Sequence, residues 1–164
     1  SVKMWRDYFP NATVVGCDIK DFEENEERIE IIKMDQSKED ELDNFCSQQE
    51  SFDIILDDGS HKMYDQQITL AKLFKKLNSG GIYILEDLHT SVEAKMPEKA
   101  VFNWGDPDKI TTLEMLEKFI ENKKIESAYI SEEDKEYLEN NIEYCEILRK
   151  DNNYFSITSI IKKK

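Results

Sequence analysis

The sequence is short of the residues that punctuate loops and linkers: it has five glycines and three prolines in 164 residues. So little of either leaves no room for a low-complexity linker, and the length suits about one domain. Cysteine is scarce too, with three residues, at positions 17, 46 and 145, and no CxxC pair. An odd, widely spaced set argues against a disulfide framework or a zinc-ligand pattern and reads as reduced thiols in a cytoplasmic protein. Positive charge is also in deficit: 22 lysines and arginines stand against 36 acids, for a net charge of −14. A protein that grips a phosphate backbone needs a basic face. The one lysine cluster here, Lys162-Lys163-Lys164, reads as a solvated tail, so nucleic acid is not an expected partner. No apolar run approaches the roughly 20 residues of a bilayer span, and no stretch reads as a secretory leader. A membrane is therefore not an expected partner either. Finally, there is no glycine-rich phosphate turn roughly 20 residues before the first strand-end acid, where dinucleotide-type folds carry one.

What is present is an alternation of short β-rich runs and helical periods. A short helix is expected over 1–9, stopped by Pro10-Asn11. Strands are expected over 13–19, 29–34, 52–56 and 82–85. Asp21 to Arg28 reads as a charged loop or a turn of helix, and Glu23–Arg28 and 131–136 as solvated surface. A helix from Ser37 to Gln48 has Ser37 as its candidate cap. A helix over 63–77 carries Tyr64, Ile68, Leu70, Ala71, Leu73, Phe74 and Leu77 at helical spacing, and Asn78-Ser79-Gly80-Gly81 reads as its glycine stop. Val92–Ile110 holds two of the three prolines and no clear period, which suggests a lid or substrate segment. Helices over 111–120 and 131–140 precede a closing hairpin, 142–149 and 154–161, turned at Asp151-Asn152-Asn153. The whole predicts a single α/β domain over 1–164: a Rossmann-like, doubly wound, mostly parallel sheet with an antiparallel hairpin at its C-terminal edge.

Chemistry concentrates where two apolar runs end. Phe52-Asp53-Ile54-Ile55-Leu56 leads into Asp57-Asp58-Gly59-Ser60-His61, and Gly81-Ile82-Tyr83-Ile84-Leu85 leads into Glu86-Asp87-Leu88-His89-Thr90-Ser91. With one helix between them the runs form a βαβ unit, so the strands are parallel and their acids share the carboxyl edge, where open α/β sheets bind ligands. Asp58, Glu86 and Asp87 are three hard oxygen donors of the kind Mg²⁺ takes. His61 beside them is a candidate general base, or simply a residue at a helix start. His89 is a second histidine nearby, with a structural role equally open. Asp18 ends the first strand, where an acid accepts hydrogen bonds from a nucleoside ribose or merely sits in a polar loop. Asp35 with Gln36 ends the next, where the pair could take an adenine amine or start a helix. Trp104, with Phe102, Asn103 and Asp106, could cover a sugar or other flat ligand, or tuck a lid onto the core.

Taken together, Ser-Val-Lys-Met-Trp-Arg-Asp-Tyr-Phe-Pro-Asn-Ala, Val-Val-Gly-Cys-Asp-Ile, Asp-Asp-Gly-Ser-His and Ile-Leu-Glu-Asp-Leu-His-Thr-Ser resemble class I S-adenosylmethionine-dependent methyltransferases. The branch resembled is the metal-dependent sugar O-methyltransferases of the mycinamicin type, with similar motifs in cephalosporin-hydroxylase-like proteins. The resemblance runs from Ser1 to about Ser91. It implies Mg²⁺ on Asp58, Glu86 and Asp87, His61 as base, Asp18 at the cofactor ribose, Asp35 and Gln36 near its adenine, and Asp57 near its methionine end. It implies a saccharide or small-molecule glycoside as substrate and is compatible with a homo-oligomer. In that family a first strand and glycine loop precede the stretch matching Ser1. The expectation is therefore a fragment lacking both, with a gap in the sheet between the strand ending at Asp18 and the one ending at Asp57. Two other readings keep the fold: a degenerate nucleotide- or cation-binding domain, and an NAD-dependent oxidoreductase, which leaves the two acid clusters without a reason.

Overall fold

The structure, a computed structural model, describes residues 2–22, 26–150 and 153–164. Ser1, the 23–25 part of the charged segment and the 151–152 part of the hairpin turn lie outside the described residues. The order is α1 (Val2–Tyr8), β1 (Val14–Asp18), β2 (Ile29–Lys33), α2 (Glu39–Gln48), β3 (Phe52–Asp57), α3 (Met63–Leu73), β4 (Leu77–Leu85), α4 (His89–Glu93), α5 (Thr112–Asn122), α6 (Glu132–Asn141), β5 (Ile142–Lys150) and β6 (Asn153–Lys163). One 3₁₀ turn, Phe74–Lys76, follows α3 directly, and another, Pro97–Phe102, lies in the irregular stretch after α4.

The strands form two sheets, β1-β2 and β3-β4-β6-β5. β1 and β2 run parallel, with Asp18 opposite Lys33. β3 and β4 are also parallel, with Asp57 opposite Leu85. β6 then pairs antiparallel to both β4 and β5, which closes the sheet with the expected hairpin. The result is a mixed, Rossmann-like α/β fold. Among the described residues β1 and β3 share no ladder, so the sheet is interrupted where the gap was expected. On β3 the apolar side chains of Ile54 and Leu56 stand exposed while Ile55 is buried. Strand edges left unpaired in this way keep backbone donors and acceptors free for a further strand.

The core lies between β4, β6 and the helices on the larger sheet. Tyr83 and Leu85 of β4, Ile161 of β6, Leu70 of α3, Leu116 and Phe119 of α5 and Leu138 of α6 are all buried in one cluster. α3 is buried along most of its length because it lies under both α5 and α6. α5 begins with a full capping box: Thr111 accepts from the Glu114 amide and Glu114 accepts from the Thr111 amide. Ser131 caps α6 through the Asp134 amide.

Two local expectations need correction. The helix over 63–77 ends at Leu73 and tightens into the 3₁₀ turn, and Leu77 already belongs to β4. Asn78-Ser79-Gly80-Gly81 is therefore no helix stop. It is a bulged entry to the strand, with Phe52 opposite Leu77 and Ile54 opposite Ile82. Gly80 sits at φ 77°, which a side chain would resist. Ser37 does not cap α2. The cap position is Lys38, without a side-chain bond, and the Ser37 hydroxyl donates to Asp35 at 2.7 Å.

Candidate active site at the ends of β3 and β4

The register that sets Asp57 opposite Leu85 places Asp58 and Glu86 side by side just beyond their strands. The ladder extends one step further, the Glu86 amide donating to the Asp57 carbonyl at 3.0 Å. Beyond it both chains turn sharply. His61 has φ 59° and Asp87 has φ 54°, left-handed backbone that L-residues hold only where the surroundings enforce it. One buried hydroxyl meets both turns: Thr90 Oγ1 lies 2.9 Å from the His61 carbonyl and 3.0 Å from the Asp87 carbonyl. Its role was not read from the sequence, although Thr90 sits in the quoted motif. The only available signal was a hydroxyl three residues after an acid.

The side chains converge accordingly. Donor atoms of Asp58, His61 and Asp87 lie within 4.8 Å of one another. His61 Nε2 is 3.5 Å from Asp87 Oδ2 and 3.9 Å from Asp58 Oδ1, and His89 Nδ1 is 3.5 Å from Asp87 Oδ1. Glu86 stands outside that triad but is coupled to it. Burial raises its pKa, the charges of Asp58 and Asp87 raise it further, and His61 offsets part of the rise. The Asp58 and Asp87 carboxylates converging with an imidazole, and the Glu86 carboxylate next to them, form a site of negative potential suited to a divalent cation. The donor chemistry therefore fits Mg²⁺.

Below the site lies a polar frame. Asp57 is only 7% exposed, and burial pushes its carboxyl up from the usual range. Tyr83 donates its hydroxyl to Asp57 Oδ2 at 2.8 Å. Gln36 Nε2 donates to Asp57 Oδ1 at 3.3 Å and to Thr69 Oγ1 at 3.1 Å, while Gln36 Oε1 accepts from the Ser60 amide at 2.7 Å. The Ser60 hydroxyl donates to the buried Asp65. The side chains of Gln36 and Asp57, both expected at the cofactor, are thus brought to each other. Asp18 and Asp35 lie together at the edge of the smaller sheet, where the Met34 amide donates to the Asp18 carbonyl at 2.9 Å. Asp18 is exposed and takes the Lys20 amide on Oδ1 at 2.8 Å; Asp35 Oδ1 takes the Ser37 amide at 3.1 Å.

The 92–110 stretch approaches the same corner. The Trp104 carbonyl accepts from the Met63 amide at 2.8 Å, two residues beyond His61, and the Trp104 indole donates to the buried Glu93 carboxylate at 2.9 Å. The Phe102 ring stacks on Trp104 at 5.7 Å and remains half exposed. An open cleft of about 860 Å³ lies elsewhere, walled by Lys109, Lys124, Glu126 and Glu139. It contains none of the converging acids, and the chemistry argues for the strand ends over this hollow. No helix among the described residues is long and apolar enough to cross a membrane.

No family model matches the chain. The chain is similar to mycinamicin VI 2''-O-methyltransferase of Micromonospora griseorubida, 37% identical over 92 residues, 56% of this chain and 23% of the relative. It is similar to a tetracenomycin-C rhamnosyl 2'-O-methyltransferase of Streptomyces olivaceus, 38% identical over 92 residues, 56% of this chain and 24% of the relative. Among solved structures it resembles the MycE methyltransferase of mycinamycin biosynthesis in complex with Mg, SAH and mycinamycin VI. The TM-score is 0.70 at 28% identity, over 98% of this chain and 39% of that one. The chain thus spans about a quarter of the length of the curated relatives it matches, and the resemblance to sugar O-methyltransferases holds in both sequence and fold.

Proposed function

We propose that the chain carries the metal and catalytic corner of an S-adenosylmethionine-dependent O-methyltransferase acting on a sugar hydroxyl of a glycoside. The observation behind this reading is the convergence of Asp58, His61 and Asp87, with Glu86 coupled to them, at the ends of two parallel strands. Asp58, Glu86 and Asp87 would hold Mg²⁺: carboxylates suit a hard cation, which leaves the imidazole free. When bound, the cation would lower the pKa of an acceptor hydroxyl. His61 would take the proton of that hydroxyl on an unprotonated ring nitrogen. Asp18 would accept hydrogen bonds from the cofactor ribose, and Asp35 would lie at the adenine end. Gln36 and Asp57 would act from within the frame. The 92–110 segment, held at Met63 through Trp104, would cover the acceptor. The two free thiols that are partly buried, Cys46 and Cys145, suit a cytoplasmic setting.

The test, on the full-length gene product, is release of S-adenosylhomocysteine from S-adenosylmethionine, with a panel of deoxysugar glycosides as acceptors. Turnover should disappear with chelator and return with Mg²⁺. Turnover that survives exhaustive chelation would overturn the metal assignment. Tight cation binding with no cofactor binding and no turnover would favour a degenerate cation-binding domain.

A further inference from the structure

We propose that Gln36 is a positioning residue, whose side-chain amide clamps the Asp57–His61 turn and so fixes the metal ligand Asp58 and the base His61. This rests on the metal reading above. The residue arrives from the smaller sheet, just past β2, and reaches the end of β3 in the larger one. Its polar atoms there are directed to three partners: Oε1 to the Ser60 amide at 2.7 Å, and Nε2 to Asp57 Oδ1 at 3.3 Å and Thr69 Oγ1 at 3.1 Å. Thr69 is 2% exposed and belongs to α3, so the amide ties the turn to the helix that follows it as well as to the strand that precedes it. The primary amide is the side chain that can do this, because the site needs an acceptor for Ser60 N–H and a donor for the Asp57 carboxylate at once.

Gly59 carries a second, independent mark of the same contact. A Cβ at this position would overlap Gln36 Oε1 and crowd its Cδ. A side chain at residue 59 would thus displace the Gln36 amide, which lies against its backbone; the φ of Gly59 is not in the left-handed region. The turn that presents Asp58 on one side and His61 on the other is held from below by one side chain, and residues that orient metal ligands from outside typically matter about 10–100-fold in metal affinity.

The experiment compares Gln36→Ala, Gly59→Ala and the double variant in the full-length gene product, using Mn²⁺ as probe. Free and bound Mn²⁺ are read by electron paramagnetic resonance, S-adenosylhomocysteine binding by calorimetry, and Ser60 amide exchange by NMR on metal-free protein. Gln36→Ala should weaken Mn²⁺ binding by roughly 10–100-fold, leave S-adenosylhomocysteine affinity unchanged and speed Ser60 exchange. Gly59→Ala should do the same, because its methyl expels the amide. The double variant should be no worse than Gln36→Ala alone, because the group the methyl collides with is gone. Losses that multiply in the double variant would overturn the proposal. So would loss of S-adenosylhomocysteine affinity with Mn²⁺ affinity intact, or proportionate loss of both. Wild-type protein that binds no Mn²⁺ defeats the metal reading instead. The clamp is then judged on Ser60 exchange, and unchanged exchange in Gln36→Ala overturns it.

Discussion

Replacing Thr90 by valine removes one hydroxyl and keeps the shape of the side chain. That hydroxyl lies 2.9 Å from the carbonyl of His61 and 3.0 Å from that of Asp87, and Thr90 is 1% exposed, so water cannot take its place without opening the site. The Asp87 carbonyl keeps the residue-90 amide at 3.2 Å, so the His61 carbonyl is the acceptor left without its donor, at a cost of about 1–3 kcal/mol. The two residues it steadies have φ of 59° and 54°, and each such conformation stores about 1–3 kcal/mol that the surroundings must offset. The expected loss of stability is about 1–3 kcal/mol, and a chain of this size loses about 2–4 °C of Tm for each kcal/mol. The larger effect should be on turnover. Base and ligand would drift apart, and a misplacement of about 1 Å can cost 10²-fold in rate. Thermal denaturation by circular dichroism gives the first quantity, and steady-state methyl transfer the second. Thr90→Ser, which keeps the hydroxyl, should recover most of the rate even where its lost methyl lowers Tm. If Thr90→Val melts and turns over like the wild type, the two left-handed turns are held by something else and this reasoning fails.

His61→Ala should lower kcat by roughly 10²–10⁴-fold while Mn²⁺ still binds, whereas Glu86→Gln should weaken Mn²⁺; loss of Mn²⁺ in His61→Ala would make the imidazole a ligand instead of the base. Tyr83→Phe gives a pH signature. The Asp57 carboxyl is raised, first by burial and against the Tyr83 and Gln36 hydrogen bonds, so its contribution to stability is greatest below the ordinary carboxylate range and falls as pH rises through its folded value. Removing the Tyr83 donor raises that value further, so the variant should lose more stability at pH 8 than at pH 5 in denaturant titrations; a loss independent of pH would show that Asp57 is not the titrating partner.

Much of the site was legible because it is local. An apolar run closed by acids marks a strand end, and two such runs flanking one helix dictate parallel strands, which is why Asp58, His61 and Asp87 could be expected at one edge; Glu86, expected with them, stands outside their triad. The interruption between β1 and β3 was legible through the resemblance. Side-chain direction was not. Nothing in Asp35-Gln36-Ser37 says that Gln36 reaches across to Ser60, since that contact spans 24 residues and two sheets. Periodicity also misled at Leu77. A buried helix and a buried strand entry both demand apolar residues, and glycines at 80 and 81 serve a bulge as readily as a helix end. Ser37 is not the cap because α2 starts at Glu39, which puts Lys38 at the cap position, while the Ser37 hydroxyl donates back to Asp35.

The most direct measurement is the position of a divalent cation in crystals of the protein grown or soaked with Mn²⁺ and recorded at the manganese absorption edge. The expected result is one anomalous peak between the carboxylates of Asp58, Glu86 and Asp87, with His61 beside the ion and not bonded to it. A peak elsewhere, a peak ligated by His61 in place of Glu86, or no peak at saturating Mn²⁺ would contradict the account.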